Sequence, residues 1–263
     1  MTPPDHRDRR TVAALARGIG VVTAFGAADT WLGNAEIAGK SGLPKATVSR
    51  ITSTLTQLGY LRYSGSLRKY RLGPAVLSLG YTALADLDVR KVARVTMQEL
   101  ADAYSGVVGL FARDGFQVMQ LEACHSATSV LSFRLDERGG APLLHTAFGQ
   151  ALLWSLREQE RESVVRQLED QVQDEGVGVG VRQRLGHTFA ALQRDGYCVT
   201  YGRWQRDVNT IGVPVELQGF EQPLALGFTC LVGHPARVTL QTQIAPRLAA
   251  AAAKISRDVA RLH

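Results

Sequence analysis

Apolar residues near the start of the chain recur at the spacing of helix faces. In the first segment they stand at i, i+3, i+7 and i+10: Val12, Leu15, Ile19 and Val22. This spacing predicts an amphipathic helix over residues 11–25. A later segment repeats the spacing and predicts a helix over residues 45–58, whose buried face would consist of Val48, Ile51, Leu55 and Leu58.

A short helix with a tight turn is predicted between these two. It begins at Gly33 or Asn34, both suitable N-caps, and ends near Lys40. Gly42 can adopt the left-handed conformation that follows a helix end, and Pro44 suits the first position of a new helix. The pattern therefore predicts a helix-turn-helix.

The exposed face of the helix over residues 45–58 favours close contact with DNA. It carries small, hydroxylated and basic residues: Lys45, Ala46, Thr47, Ser49, Arg50 and Ser53. A helix of this length extends roughly 20 Å and fits a major groove about 12 Å wide, where arginine and hydroxyl groups read base edges. We predict that these six residues contact DNA.

A basic hairpin is predicted directly after this helix. Residues 60–63 and 67–72 read as two short strands around a turn at residues 64–66. Its position after a recognition helix is that of a wing, and we predict DNA contacts from Arg68 and Lys69. Helix, turn, helix and basic hairpin together indicate a winged helix-turn-helix.

The charge distribution supports this placement. The net charge is +6, and residues 1–72 hold eleven lysines and arginines against four acidic residues. The rest of the chain holds nineteen basic against twenty acidic residues. The whole basic excess therefore lies where phosphate contacts would be made.

The remainder of the chain mixes strand and helix patterns without strict alternation. Helices are predicted over residues 74–87, 89–104, 146–156, 160–168, 182–195 and from 235 or 239 to 262. Strands are predicted over residues 107–113, 116–122, 129–135, 208–215 and 224–231, with an Asp114–Gly115 turn joining the first two. This order predicts an α+β fold with an antiparallel sheet and a ligand cavity between the sheet and its loops.

Four segments follow from these patterns. We predict a disordered tail at residues 1–10, a winged helix-turn-helix at 11–73, a linker helix at 74–88 and an α+β domain at 89–263, to which the family resemblance given below assigns effector binding and oligomerisation. The polar N-terminus and the lack of an apolar run of about 20 residues predict a cytoplasmic protein without membrane contact.

Several motifs resemble those of the IclR-type transcription regulators. In the N-terminal part they are ALARGIGVVTAFG, NAEIAGKSGLPKATVSRITSTLTQLGYL and KYRLGPAVLSLG; in the C-terminal part they are APLLHTAFGQALL, GYCVTYGRWQRDVNTIGVPV and PLALGFTCLVG. The resemblance spans residues 11–262. It implies a winged helix-turn-helix bound to double-stranded operator DNA, a linker helix with dimer contacts, and a GAF-like α/β effector domain, assembled as a homodimer or a dimer of dimers.

The same resemblance implies a small-molecule effector pocket. Its residues would be Ala147, Phe148, Thr200, Val208, Thr210, Thr229 and Leu231. The chain departs from the family pattern with Leu144, Gln150, Thr200 and Leu231 at positions where histidine, lysine, an acid and serine are usual. The implied pocket is more apolar and less charged than is typical of the family, so we expect an aromatic or hydrophobic effector, held by threonine hydroxyls and backbone groups, and not a small dicarboxylate.

An enzyme is the rival class, and its motifs are missing. Cys124 and His125 adjoin, but neighbours on a strand point to opposite faces and cannot form a nucleophile–base pair. The chain has no G-x-S-x-G elbow and no H-E-x-x-H, and the glycine-rich residues 176–180 lack phosphate-binding spacing. We expect no catalytic residue, metal or cofactor; the alternative function is a sensor that regulates a protein partner without DNA. Repression and activation both remain open.

Overall fold

Two units make up the chain in the computed structural model, Met1–Asp86 and Leu87–His263. The structure describes residues 12–26, 29–85, 88–129, 140–174, 180–217 and 222–261. The predicted tail and most of the predicted strand at 129–135 and of the glycine-rich segment at 176–180 lie outside these residues. Within them, no helix is both long and apolar enough to cross a bilayer. The four segment boundaries stay a prediction.

The N-terminal unit consists of helices and a two-stranded wing. Its elements are α1 (Ala13–Val22), α2 (Asn34–Ser41), α3 (Lys45–Gln57), β1 (Leu61–Ser64), β2 (Lys69–Leu72) and α4 (Pro74–Ala85). The strands pair antiparallel, and Leu32 adds a third short segment through hydrogen bonds of 2.9 and 2.8 Å with the backbone of Tyr70. The core contains Val21, Phe25, Leu32, Ile37, Ala38, Val48 and Leu61.

In the turn between α2 and α3, Gly42 has the predicted conformation, whereas Pro44 is the N-cap of α3 and not its first residue. Gly42 has φ 68°, the left-handed conformation that glycine adopts without strain, and Pro44 immediately precedes α3. At the start of α2 the Gly33 N–H donates to Glu36 Oε2 at 2.6 Å. That hydrogen bond, followed by one from Lys69, lowers the pKa of Glu36.

Two predicted helix faces differ from the structure. Leu58 is 61% exposed, and Thr52 is buried on α3 instead. The reason is that α3 ends at Gln57 and the chain turns through Gly59 at φ 79°, so Leu58 leaves the helical face. Along α1 and its N-cap, the apolar residues Val12, Leu15 and Ile19 are each more than half exposed.

The C-terminal unit is a six-stranded sheet covered by helices. Its strands are β3 (Val107–Asp114), β4 (Gln117–His125), β5 (Gly140–Pro142), β6 (Cys198–Tyr201), β7 (Val208–Val215) and β8 (Leu224–Leu231). Its helices are α5 (Asp88–Tyr104), α6 (Ala147–Ser155), α7 (Glu158–Asp174), α8 (Val181–Asp195), α9 (Arg237–Thr239) and α10 (Ala245–Ala260). The order is β5-β4-β3-β8-β7-β6 with antiparallel pairing throughout, which confirms the predicted α+β class.

Three features of this unit were not predicted. The short strands β5 and β6 lie at the sheet edges, and the expected continuous C-terminal helix is interrupted. A π-helical turn over Leu240–Ile244 separates α9 from α10. Such a turn adds a residue to the helical repeat and is seldom visible in an amphipathic pattern.

The two faces of the sheet carry different helices. Ile211 and Val213 of β7 belong to the core shared with α5 and α10. The alternate residues of the same strand, Thr210 and Gly212, face α6, because successive strand residues point to opposite sides. The second core, with α6, α7 and α8, lies on that side of the sheet.

Glycines open the centre of the α6-facing side. Gly109, Gly227 and Gly212 pair in one row across β3, β8 and β7. The rings of Phe111 and Phe148 stack over this row, 4.0 Å between centroids and 10° between planes. Without side chains at these positions, α6 can approach the sheet closely.

Replacing Gly212 with alanine is expected to destabilise the C-terminal unit by about 2 kcal/mol, because the new Cβ would overlap the Ala147 carbonyl and the Phe148 nitrogen. Chemical denaturation followed by circular dichroism measures the change. Gly186→Ala is the matched control on α8, where an added Cβ meets nothing within 4 Å, and it should be neutral or stabilising. An unchanged unfolding midpoint for Gly212→Ala would contradict this close approach.

Candidate DNA interface and effector site

The predicted DNA-reading residues lie on the solvent side of α3. Lys45, Ala46, Ser49, Arg50 and Ser53 are exposed and Thr47 is half-buried. The opposite face carries the buried Val48 and Thr52. The side chains that would touch DNA are therefore accessible, with short residues that let the helix backbone approach a surface.

The two predicted wing residues have different surroundings. Arg68 is exposed in the turn between β1 and β2, at φ 50°. Lys69 is half-buried, and its Nζ lies 3.1 Å from Glu36 Oε2. Lys69 therefore ties the wing to the start of α2, and a contact between Lys69 and DNA stays a prediction.

The wing carries an arginine pair that was not predicted from the sequence. Arg62 on β1 and Arg71 on β2 are direct cross-strand partners and both are exposed. The Arg71 guanidinium also lies 5.0 Å from the centroid of the Trp31 ring. Like charges directly opposite on a sheet repel each other, so this pair favours a bound anion. The strand register brings the two arginines together, and composition alone could not show it.

Three of the predicted effector residues form a row across the sheet. Thr200, Thr210 and Thr229 are register partners on β6, β7 and β8, and all three are buried. The Oγ1 atoms of Thr200 and Thr210 lie 2.7 Å apart. Thr210 Oγ1 also accepts a hydrogen bond of 2.9 Å from the Ala147 N–H. The row thus joins the edge of the sheet to the first residue of α6.

The other predicted effector residues lie around this row. Ala147 and Phe148 begin α6 and are fully buried, and Val208 and Leu231 are cross-strand partners. The stacking of Phe148 on Phe111 gives it a core-packing role. Whether these residues contact an effector stays a prediction.

A cavity of about 390 Å³ lies between α6, α8, β6 and the turn after β6. Of the seven predicted residues, Thr200 lines it. On its inner wall, Gln150 donates to the Leu144 carbonyl at 2.8 Å and accepts from Thr188 Oγ1 at 2.9 Å. The part that α8 plays in this wall was not predicted from the sequence.

A larger cavity of about 1020 Å³ lies near the end of α6 and along α10. Its charged lining residues have both signs: Arg157, Glu160, Glu216 and Arg257. It contains none of the predicted effector residues. Its charge therefore favours no class of ligand.

The cysteines lack the environment of a nucleophile. Burial raises the pKa of the Cys124, Cys198 and Cys230 thiols, that of Cys230 to about 12. Cys124 is buried and the neighbouring His125 is exposed. Within the described ranges, no three histidine, cysteine or acidic side chains are close enough to hold a metal.

Each of the two units matches a known protein family model. Residues 14–65 match the IclR helix-turn-helix domain, and residues 81–257 match the bacterial transcriptional regulator IclR C-terminal domain. The chain is 34% identical over 225 residues to the HTH-type transcriptional regulator TsaQ1/TsaQ2 of Comamonas testosteroni. The aligned region covers 84% of this chain and 80% of that protein.

Solved structures share the architecture. An IclR family transcriptional regulator from Brucella abortus superimposes with a TM-score of 0.85 at 33% identity, over 98% of this chain and 97% of that one. An IclR homologue from Microbacterium hydrocarbonoxydans, complexed with 4-hydroxybenzoate, has a TM-score of 0.75 at 21% identity, over 95% and 100%. The chain therefore belongs to the IclR family of transcriptional regulators, with an N-terminal helix-turn-helix that binds DNA and a C-terminal effector-binding domain.

Proposed function

We propose that α3 enters the major groove of an operator and that Arg50 is its main base-reading side chain. The observation that carries this proposal is the exposed face of α3, which is small, hydroxylated and basic over residues 45–53. Hydroxyl groups and an arginine on such a face can reach base edges. The wing, with Arg62, Arg68 and Arg71, would follow the adjoining phosphates.

The DNA-binding form is a homodimer, alone or within a dimer of dimers. Two helices of the N-terminal unit expose large apolar side chains: Leu15 and Ile19 on α1, with Val12 directly before it, and Leu77, Leu79 and Tyr81 on α4. Exposed apolar surface of this kind marks an interface. A symmetric dimer would read palindromic half-sites about one helical turn apart, or a multiple of that.

The effector would be a small molecule with an aromatic or hydrophobic body, bound beside the threonine row. The complex of the Microbacterium homologue with 4-hydroxybenzoate supports an effector of this size. Binding in the C-terminal unit would change the population of DNA-competent dimers. We propose that the chain acts by binding, without a catalytic step. The raised pKa values of the buried thiols support this proposal, because such thiols are poor nucleophiles. We also propose that it acts in the cytoplasm, where bacterial operators lie.

Arg50→Ala is expected to weaken binding to the intergenic DNA upstream of the protein's own gene by about 1–3 kcal/mol. It should also relax the sequence preference at one base position of the operator. Fluorescence anisotropy on specific and unrelated fragments at two salt concentrations measures both. Arg50→Lys is the matched variant, because lysine keeps a phosphate contact but lacks the arginine fork. Full retention of specificity in Arg50→Ala would remove Arg50 from base reading. Wild-type protein that binds both fragments equally would favour the DNA-independent sensor.

Arg62→Gln is expected to leave the thermal stability of the free protein unchanged or higher, because it removes the repulsion with Arg71. The same variant should bind DNA more weakly, with a salt-dependence slope smaller by about one. Differential scanning fluorimetry and binding at several salt concentrations provide the two measurements. A clear loss of stability with unchanged DNA binding would assign Arg62 a purely structural role.

Leu15→Gln is expected to shift the protein toward smaller oligomers, because it places a polar group within the exposed stripe of α1. Analytical ultracentrifugation over a range of concentrations detects the shift. Ala16→Gln introduces the same side chain at the next position, outside the stripe, and should leave the assembly unchanged. Equal behaviour of the two variants would argue against α1 as an interface.

A further inference from the structure

The wing tip, residues 65–68 between β1 and β2, carries a large apolar side chain in an exposed turn. All four residues are exposed, and Leu67 is 54% exposed. Turns favour glycine, proline, serine, asparagine and aspartate, which suit the backbone of a turn or hydrogen-bond to it. The Leu67 side chain does neither, and it packs in none of the hydrophobic clusters that the described residues form. Neither turn chemistry nor core packing therefore accounts for this leucine.

Other groups hold the backbone of the wing tip. Ser64 Oγ accepts a hydrogen bond of 3.3 Å from the Leu67 N–H and lies 3.0 Å from the Ser66 hydroxyl. Arg68 follows at φ 50°, a left-handed conformation that is unfavourable for residues with a long side chain. Two adjacent residues thus break local rules of turn chemistry. Such breaks are expected where function requires particular side chains.

The rest of the wing supplies positive charge. Residues 60–72 contain three arginines and one lysine and no acidic residue. Arg62 and Arg71 lie opposite each other on the two strands, while Leu67 and Arg68 lie at the tip. Cationic strands with an apolar tip complement a DNA duplex, which is anionic along its backbone and apolar between its stacked bases.

We propose that Leu67 is an apolar wedge that enters the minor groove beside the α3 site and partly unstacks one base step. The proposal rests on the operator binding proposed above, in which the wing follows the adjoining phosphates. Three residues of strand separate Arg68 from Arg71, about 10 Å. The minor groove is about 7.5 Å deep, so the tip can reach base pairs while Arg71 stays at the phosphates. Leucine is among the side chains that minor-groove proteins insert between bases.

A wedge of this kind adds a sequence preference that α3 does not supply. Flexible pyrimidine–purine steps such as TA unstack at the lowest cost. The 2-amino group of guanine projects into the minor groove and would obstruct Leu67, whereas A·T pairs have no such group. The wing would therefore favour flexible A·T-rich steps, independently of the bases read in the major groove.

Duplexes that differ only in the minor groove test the proposal. Inosine in place of guanine removes the 2-amino group, and 2,6-diaminopurine in place of adenine adds one; both leave the major-groove edges unchanged. Fluorescence anisotropy measures binding of the full chain to the natural, inosine and diaminopurine forms of the upstream intergenic fragment. We expect the inosine duplex to bind about threefold more tightly than the natural one, and the diaminopurine duplex about tenfold more weakly.

Leu67→Ser should reduce the spread of affinities among the three duplexes to about twofold or less, because no apolar group is left to insert. It should also reduce the DNA bend measured by energy transfer between dyes at the duplex ends. Leu67→Met keeps an apolar side chain of similar volume and should retain both properties. Leu58→Ser is the control, because Leu58 is an equally exposed leucine of the same unit outside the wing.

Equal affinity of the wild type for the three duplexes would overturn the proposal. So would an unchanged spread in Leu67→Ser, or an equal loss of spread in Leu58→Ser. An unrelated fragment with the same three base compositions is measured in parallel, because every duplex has a minor groove in which the wedge can be detected. Equal binding to the upstream and unrelated fragments would refute specific reading by α3 and leave the result for Leu67 standing.

Discussion

The close contact between the start of α6 and the centre of the sheet determines the geometry of the C-terminal unit. The glycine row leaves room for the Ala147 carbonyl and for the two stacked phenylalanine rings. Thr210 Oγ1 accepts a hydrogen bond of 2.9 Å from the Ala147 N–H, which satisfies one of the free donors at a helix start. A side chain on the row would separate helix from sheet and break this bond. Backbone packing thus fixes the position of the threonine row.

This contact also connects the small cavity to α6. Thr200 lines the cavity, bonds to Thr210, and through it meets the first N–H of α6. The Thr200 hydroxyl, the Thr210 hydroxyl and the Ala147 N–H form a chain of only three groups. A ligand that hydrogen-bonds to Thr200 would compete with the Thr200–Thr210 hydrogen bond or polarise it. Buried networks of this length respond together because each member has few alternative partners. A ligand bound at Thr200, as proposed above, would therefore be connected to the start of α6 through two hydrogen bonds.

The parts of the fold that could be predicted are those specified by local backbone conformation and by clear apolar spacing. Gly33, Gly42 and Pro44 specify helix ends by backbone conformation, so the helix-turn-helix was predictable. The strand β6 was missed because four residues are too few to show alternation. Leu58 was assigned to the core because the apolar spacing continues one residue beyond the last helical turn.

The sites depend on strand register and on contacts between segments that are distant in the chain. Hydrophobic periodicity carries no information about either. Arg62 and Arg71 become neighbours through the register of the wing, and the cavity unites α6, α8 and the turn after β6. Residues 73–263 hold almost equal numbers of both charges, so net charge could not reveal which residues line the small cavity. The basic excess of residues 1–72, in contrast, is visible in the sequence because it is not compensated nearby. A partner as extended as DNA responds to summed charge, whereas a small site depends on how individual side chains are placed.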